Sequence, residues 1–277
     1  MAKRSDAPKF ESEAALVAAF CAWLDRENEN RNRGDDRKWT AYHETAGWDL
    51  LLANKVTGAQ IGIEAKLSLN PKVLIQALPD HNWWSPRGPD FRAVLVPAPD
   101  LQHCVSGLAK HLGITVITAQ PRFSYRHELI GWNFGPELPD ESCSYGMREW
   151  PHWLPAQRCD LPEYVPDVTG GHSAPVALTQ WKIKAIRLMI LLDRRGYVTR
   201  KDMNALQISP TRWTDGYHGF LARDVEKGGF VRCDRTPDLR AQHPTNYAQI
   251  EADFDKWGAE ILKAGGATQP LLGGAAA

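Results

Sequence analysis

The sequence lacks any long apolar run. No segment approaches the roughly 20 apolar residues that a membrane-spanning helix needs, which argues against a membrane protein. Residues 1–6 also lack the apolar core of a signal peptide, so we expect a cytoplasmic protein with no membrane partner. The composition, 43% hydrophobic and 24% charged, is that of a soluble globular protein. A chain of 277 residues is long enough for two domains.

Motifs of several functional classes are missing. The five cysteines are an odd number without a CxxC pair, which argues against a disulfide framework and a ribbon-type zinc site. Cys143, His152, Cys159 and His172 are possible metal ligands, but their spacing fits no zinc pattern. No glycine-rich phosphate loop or nucleophile elbow is present, which argues against a small-molecule enzyme on an α/β scaffold.

The sequence also has no net charge, because 33 basic residues balance 33 acidic ones. Taken alone, this balance argues against a nucleic-acid-binding protein. The charge is unevenly distributed, however: residues 1–120 are neutral, residues 121–175 carry net −4, and residues 176–240 carry net +6. The overall zero therefore conceals a basic C-terminal region.

Composition and patterning divide the chain into four segments. Residues 1–120 alternate helical and strand-like patterns, and residues 121–175, rich in Pro and Trp, are interpreted as a linker or irregular extension. Residues 176–262 are helical and basic, and the Ala/Gly-rich tail, residues 263–277, is expected to be disordered. Eleven tryptophans are unusual, and those in Pro-rich surroundings, Trp83, Trp84, Trp150 and Trp153, are interpreted as packing residues of irregular loops, with base stacking as the alternative.

The first predicted element is a helix over residues 11–26. Its apolar residues recur at spacings of three and four and form one inward stripe: Leu16, Val17, Phe20, Trp23 and Leu24. Glu13 shares that stripe. A carboxylate there is either a first-turn residue favoured by the helix dipole or part of a functional site.

Two strand-like runs follow, residues 48–53 and 60–67, joined by a short turn. Because side chains alternate along a strand, a symmetric hairpin places Asp49, Glu64 and Lys66 on one face and only apolar residues on the other. A solvated ion pair is one interpretation of the charged face. Burial on both sides, where unpaired charges are costly, instead favours carboxylates that bind Mg²⁺.

The succession of Glu13, Gly47-Trp48-Asp49 and Ile63-Glu64-Ala65-Lys66 resembles the PD-(D/E)XK nuclease superfamily over about residues 10–120. One departure is Gly47-Trp48-Asp49, which replaces the Pro-Asp of the family name. The resemblance implies an α/β fold with a restriction-endonuclease-like mixed sheet core flanked by helices. The remaining elements of that core match predicted strands and helices at 38–45, 71–78, 91–97, 101–112 and 114–118.

The same resemblance implies roles for individual residues. Asp49 and Glu64 would bind Mg²⁺ or Mn²⁺ with help from the Ala65 carbonyl, and Lys66 would position the attacking water. Glu13 would complete the site. Gln76, on the helix after the Glu64–Lys66 strand, matches a position where the superfamily often has Gln or Lys, and would be a further catalytic residue. Lys72 and Ser68 are weaker candidates for contacts with phosphate. Gln76 is alternatively a surface helix residue.

The third segment resembles a winged helix-turn-helix over about residues 178–245, through its order of elements. We predict helices at 179–195, 199–206, 209–227 and 247–262, a strand at 230–233 and a wing loop at 234–244. The resemblance implies that the helix after the turn enters the major groove of DNA and that the wing contacts the backbone. The implied DNA-binding residues are Thr211, Arg212, Thr214, His218 and Arg223 on the helix, and Arg232, Arg235 and Arg240 near the wing. Alternatively, this mainly helical domain packs against the first or forms a homodimer.

Together these patterns lead us to expect a metal-dependent DNA endonuclease whose C-terminal domain binds DNA. The alternative is a DNA-binding regulator, or a defence or anti-defence factor, with a catalytically silent nuclease fold. Retention of Asp49, Glu64 and Lys66 argues against the silent alternative, since a regulator has no need of all three.

Overall fold

The computed structural model describes residues 9–30, 39–78, 87–97, 103–139, 149–167 and 178–265. They form two compact units of a mixed α/β protein. The first unit lies within residues 1–161 and the second comprises residues 162–167 and the chain from 178 onward. Among the described residues, none of the helices is both long and apolar enough to cross a membrane.

The first unit is built on a mixed sheet of six strands in sequential order. The strands are β1 Trp39–Thr45, β2 Trp48–Asn54, β3 Gln60–Ala65, β4 Phe91–Pro97, β5 Thr115–Phe123 and β6 Leu129–Gly135. Pairs β1–β2, β2–β3 and β5–β6 are antiparallel, and pairs β3–β4 and β4–β5 are parallel. The helices of this unit are α1 Glu13–Asn30, α2 Pro71–Ala77 and α3 His103–His111.

The hairpin register predicted from the sequence is confirmed. Ala53 pairs with Gln60 and Leu51 with Gly62. Leu50 and Leu52 of β2 and the odd-numbered residues of β3 pack into one apolar cluster with α1. Trp48 and Leu51 belong to a second cluster with α2 residues. Both faces of these strands are therefore buried. The strand predicted through residue 67 ends at Ala65, since the chain bends there.

Helix α1 follows the predicted pattern and continues to Asn30. The Ser12 hydroxyl accepts a hydrogen bond from the backbone N–H of Ala15 (3.1 Å), which satisfies a free donor of the first turn. The predicted inward stripe is buried against the sheet: Leu16, Val17, Phe20, Trp23 and Leu24. This packing sets the first turn of α1, with Glu13, close to the end of β3.

The prediction of a linker from residue 121 onward is wrong for residues 121–135. Strand β5 runs through Pro121, and β6 adds a further antiparallel strand whose Phe134 packs edge-on against Phe20 of α1. The strand pattern was obscured because Pro121, Gly131 and Gly135 look like turn residues. Pro121 faces Trp132 across the pair, and a proline is tolerated where its missing N–H is not required by the ladder.

Residues 149–160 are also part of the first unit. The Gln60 side chain bonds both the N–H and the carbonyl of Cys159, at 2.8 and 2.9 Å. The buried Asp90 carboxylate accepts from the Gln60 N–H and from Arg158 Nε, both at 2.7 Å. Trp150 is buried in the core, which supports packing as the role of this tryptophan. Cys143, His172 and the Trp83-Trp84 pair lie outside the described residues.

The second unit contains six helices and a two-stranded hairpin among its described residues. They are α4 Gln180–Arg195, α5 Arg200–Ala205, α6 Pro210–Thr214, β7 Leu221–Asp224, β8 Gly229–Arg232, α7 Leu239–Gln242, α8 Pro244–Ala252 and α9 Phe254–Gly265. The predicted capping box of α5 is confirmed, with Thr199 and Asp202 each bonding the other's backbone N–H. Asp202 also pairs with Arg195, and both side chains are almost completely buried.

Four predictions for this unit are wrong. The single helix predicted over 247–262 is instead two helices, α8 and α9, divided at Asp253. The helix predicted over 209–227 ends at Thr214, because Asp215 accepts hydrogen bonds from two following N–H groups and turns the chain. His218 and Arg223 therefore lie on a turn and on β7. The loop of the hairpin is residues 225–228, whereas the predicted wing, 234–244, contains α7. Residues 263–265 of the predicted disordered tail are helical, and the rest of it lies outside the described residues.

Gly62→Ala tests how tightly the strands around the charged face are packed. A Cβ on Gly62 would overlap the ring of Trp48. We expect a loss of about 1–3 kcal/mol in the free energy of unfolding, measured by urea titration, because the ring has to move. In the control Gly107→Ala, on α3, a Cβ meets no atom within 4 Å, and stability should be unchanged or slightly higher. Equal effects of the two substitutions would contradict the close packing.

Candidate active site

Four charged side chains from three elements meet at the end of the β2–β3 hairpin. Asp49 is the second residue of β2, Glu64 is near the end of β3, Lys66 follows β3 directly, and Glu13 is in the first turn of α1. The hairpin register, continued by one pair beyond Leu50–Ile63, sets Asp49 opposite Glu64. The structure thus brings together the four side chains that the sequence predicted for one site.

Asp49 is held in place by the backbone of the neighbouring strand. Its Oδ2 accepts a hydrogen bond from the Ala65 N–H at 2.8 Å and lies 3.7 Å from Lys66 Nζ. These contacts use one oxygen of the carboxylate and fix its orientation toward β3. Ala65, predicted as a carbonyl ligand, is therefore adjacent to both acids.

Glu64 is the most unusual of the four. Glu64 is only 6% exposed, and its carboxylate forms no hydrogen bond or ion pair with any other described residue. Burial, followed by the charge of Asp49, raises the pKa of Glu64 from its ordinary 4.5 to about 7. A carboxylate that is buried, unpartnered and beside another acid is costly to ionise unless a cation neutralises it.

Lys66 is positioned as a cation. Its Nζ donates to Glu13 Oε2 at 3.0 Å, which confirms the inward placement of Glu13. Burial lowers the pKa of Lys66, but the hydrogen bond to Glu13 and the charges of Asp49, Glu13 and Glu64 outweigh burial, so the pKa is raised. The ammonium group is therefore charged at neutral pH and suited to stabilise negative charge, not to remove a proton.

Glu44, which belongs to the same neighbourhood, was not predicted from the sequence. Its charge contributes to the raised pKa of Glu64. Glu44 has a positive φ of 46°, and the turn that follows continues with Ala46 at 55° and Gly47 at 85°. In the alternating pattern of β1 it resembles an ordinary polar strand residue, and only the left-handed backbone of this turn distinguishes it.

The donor set of this site suits a hard divalent cation. Within the described ranges, no three His, Cys, Asp or Glu side chains are arranged to hold a metal ion. Mg²⁺ commonly takes only one or two carboxylates and completes its shell with water and substrate oxygens. Asp49 and Glu64 supply such a pair, and the unpartnered buried carboxylate of Glu64 is the group that a cation would satisfy.

Three further residues predicted for this site form no described hydrogen bond or ion pair with the four charged side chains. Gln76 and Lys72 are exposed on α2, and Ser68 is exposed in the loop before it. In the described part of the chain, Gln76 has no hydrogen bond to Asp49, Glu64 or Lys66. Asn70 caps α2 as predicted, by accepting from the Val73 N–H at 3.1 Å.

The basic residues predicted near the wing are engaged within the second unit. Arg232 pairs with Asp193 at 2.6 Å, and Arg235 Nε donates to the carbonyl of Gly219 at 2.9 Å. Arg240 lies 3.3 Å from Glu251 and over the ring of Tyr247. These three guanidinium groups therefore all have partners within the second unit, although they are exposed to solvent.

The residues predicted on the helix after the turn differ in their surroundings. Arg212 is exposed on α6 and lies over the rings of Trp181 and Phe220. Arg223 is exposed on β7 and forms no hydrogen bond or ion pair with another described residue. The other three are Thr211, exposed on α6; Thr214, whose hydroxyl donates to Pro210; and His218, exposed on the turn.

Glu64→Gln tests the cost of the buried carboxylate in the metal-free protein. Because folding raises the pKa of Glu64, this side chain should not destabilise the wild type below pH 4.5, and its contribution should become increasingly unfavourable as the pH rises to about 7. Glutamine removes the charge, so the variant should be more stable than wild type by about 3 kcal/mol at pH 8 and similar to it near pH 4.5.

This difference is measured by urea unfolding with EDTA at both pH values. Glu11→Gln, an exposed acid outside the cluster, is the control and should change stability little at either pH. A Glu64→Gln variant less stable than wild type at pH 8 would show that the carboxylate is satisfied within the protein.

Comparisons with known protein families, curated proteins and solved structures find no match to this chain. The structure shows a mixed α/β protein with a six-stranded sheet flanked by helices. A functional conclusion therefore depends on the geometry of the charged cluster.

Proposed function

We propose that this protein is a metal-dependent nuclease that hydrolyses phosphodiester bonds in DNA. The observation that carries the proposal is the buried Glu64 carboxylate, without a partner among the described residues, beside Asp49 and the charged Lys66. Two acids and a lysine at the end of an antiparallel hairpin match the donor set of the PD-(D/E)XK nucleases. The strand order, antiparallel then parallel with α2 between β3 and β4, supports a restriction-endonuclease-like core.

Each residue of the cluster has a distinct role in this proposal. Asp49 and Glu64 would hold Mg²⁺ or Mn²⁺, which supplies Lewis-acid activation of the scissile phosphate and of water. Lys66 orients the attacking water and stabilises the negative charge that develops on the phosphate. Glu13 holds the ammonium group of Lys66 through its 3.0 Å contact and keeps it charged.

The second unit is proposed to bind the DNA. Helix α4, the bridge of Val198 to Phe230, the short helices α5 and α6 and the β7–β8 hairpin follow in the order of a winged helix. The net +6 of residues 176–240 supports attraction to phosphate. Since three of the predicted arginines are engaged internally, the contacts with DNA are assigned mainly to Arg212, Arg223 and the exposed residues of the 215–218 turn.

A catalytically silent DNA-binding regulator is the second candidate function. The direct ion pair between Lys66 and Glu13 favours it, because that contact neutralises the lysine in the absence of substrate. The two functions differ in whether the charged cluster supports cleavage.

DNA cleavage distinguishes the two functions. Supercoiled plasmid, linear duplex and single-stranded phage DNA are incubated with the full chain and Mg²⁺, Mn²⁺ or EDTA. We expect metal-dependent cleavage of at least one substrate and a loss of at least about 100-fold in Lys66→Ala, because the cation that stabilises the transition state is removed. Glu64→Ala should lose cleavage to a similar extent.

Lys55→Ala is the matched control, since Lys55 is exposed in the turn of the same hairpin. This variant should cleave DNA like wild type. Cleavage that survives in Lys66→Ala and Glu64→Ala would place the active site elsewhere. Absence of cleavage with every substrate and metal would favour the silent regulator.

A further inference from the structure

The second unit presents a surface rich in aromatic rings and cations around the end of α6. We call it the aromatic–cationic surface, and its residues are Trp181, Arg212, Tyr217, His218, Phe220 and Arg235. Tyr217 is 87% exposed, more than any other aromatic side chain described in the second unit. Its ring is therefore accessible to a ligand.

The base of the surface is rigid. Trp213 is completely buried and packs against both Trp181 and Phe220, with ring centroids at 5.9 and 5.3 Å. The Arg212 guanidinium lies over the same two rings, at 5.8 and 5.9 Å from their centroids. A planar cation thus lies beside two aromatic rings that pack on a buried tryptophan.

Tyr217 projects from a turn whose backbone is fixed as well. Asp215 Oδ1 accepts from the N–H groups of Tyr217 and His218, at 2.8 and 2.7 Å. The Gly219 N–H returns to the Asp215 carbonyl at 2.9 Å, and a Cβ on Gly219 would overlap that carbonyl. Arg235 donates to the Gly219 carbonyl from the other side. Because the turn is already ordered, its backbone would lose little conformational entropy on binding.

The chemistry of this surface fits unpaired nucleotides better than an intact duplex or an apolar protein. Helix α6 has five residues, so it is only about 7.5 Å long, too short to lie along a major groove. Exposed rings stack on unpaired bases, and neighbouring cations contact the phosphates. Of the large aliphatic residues described in this unit, only Val165 and Val225 are exposed, and neither belongs to the surface.

We propose that the aromatic–cationic surface binds unpaired nucleotides by base stacking on Tyr217, so that the substrate is DNA with a single-stranded segment. This inference rests on the proposed function, because it takes DNA as the substrate. Beyond that function, it specifies that the DNA contains unpaired nucleotides. Tyr217 supplies the stacking ring, and the exposed Arg212 on α6 and His218 on the same turn are assigned to contact phosphate oxygens.

The test is fluorescence anisotropy with the full chain in EDTA. The probes are a fluorescein-labelled 20-nucleotide single strand of mixed sequence, the same sequence as a blunt duplex, and that duplex with a single-stranded overhang. We expect the single strand and the overhang to bind at least about fivefold more tightly than the blunt duplex, since each stacked base adds affinity.

Three variants identify the contact. Tyr217→Ala should weaken single-strand binding about tenfold with an unchanged salt dependence, whereas Tyr217→Phe keeps the ring and should bind like wild type. Arg212→Ala should reduce the slope of log K against log salt by about 0.7, the value for one phosphate contact on a single strand. Val225→Ala, an exposed residue of the hairpin turn, is the control and should bind like wild type.

Equal affinity for single strand and blunt duplex, or unchanged binding by Tyr217→Ala, overturns the inference. So does a loss of self-association in Tyr217→Ala, measured by light scattering, because it would assign the surface to a second copy of the chain. The proposed function is judged separately: metal-dependent cleavage without a preference for single strands leaves it standing while the inference fails. If single-strand binding depends on Tyr217 but no DNA is cleaved, the inference stands and the proposed nuclease function fails.

Discussion

The burial of the Glu64 carboxylate is the constraint on which the account of this protein depends. The end of β3 is covered by α1 on one face and by the α2 cluster on the other, so a charge on Glu64, which is only 6% exposed, is poorly solvated. The carboxylate then has to be protonated, paired or bound to a cation. Asp49 cannot serve as its partner, and the ammonium group of Lys66 is already bound to Glu13. The site therefore contains more negative charge than the single ammonium group of Lys66 can neutralise.

This constraint explains why the neighbouring residues are arranged as they are. Asp49 is oriented by the backbone N–H of Ala65, so it does not turn away from Glu64 in spite of their repulsion. The register of the hairpin and the close contact of Trp48 with Gly62 keep the two strands from separating. Stability is given up at Glu64 so that two acids remain close together, which is typical of functional sites.

Much of the first unit could be predicted from the sequence, because alternation along a strand specifies both register and face. The positions of Asp49, Glu64 and Glu13 followed from this periodicity. Strand β6 could not be predicted, since Pro121 and the glycines of β6 resemble turn residues and only pairing with β5 makes them a strand. Glu44 was missed because its left-handed backbone is a property of the folded turn.

The second unit was harder to predict, because local hydrogen bonds override its helical pattern. The helix start predicted at Ser209-Pro210 is confirmed for α6. The helix nevertheless ends after five residues, because the Asp215 side chain accepts hydrogen bonds from two N–H groups that follow it. The partners of Arg232, Arg235 and Arg240 are distant in sequence, so their structural roles could not be predicted from local patterns.

The most direct test of the central claim is anomalous X-ray scattering from crystals of the protein soaked with Mn²⁺ above pH 7. The account predicts an anomalous peak within coordination distance of both Asp49 and Glu64, and no peak there in Glu64→Gln crystals. A peak elsewhere, or an ordered Glu64 carboxylate satisfied by protein groups with no metal bound, would contradict it.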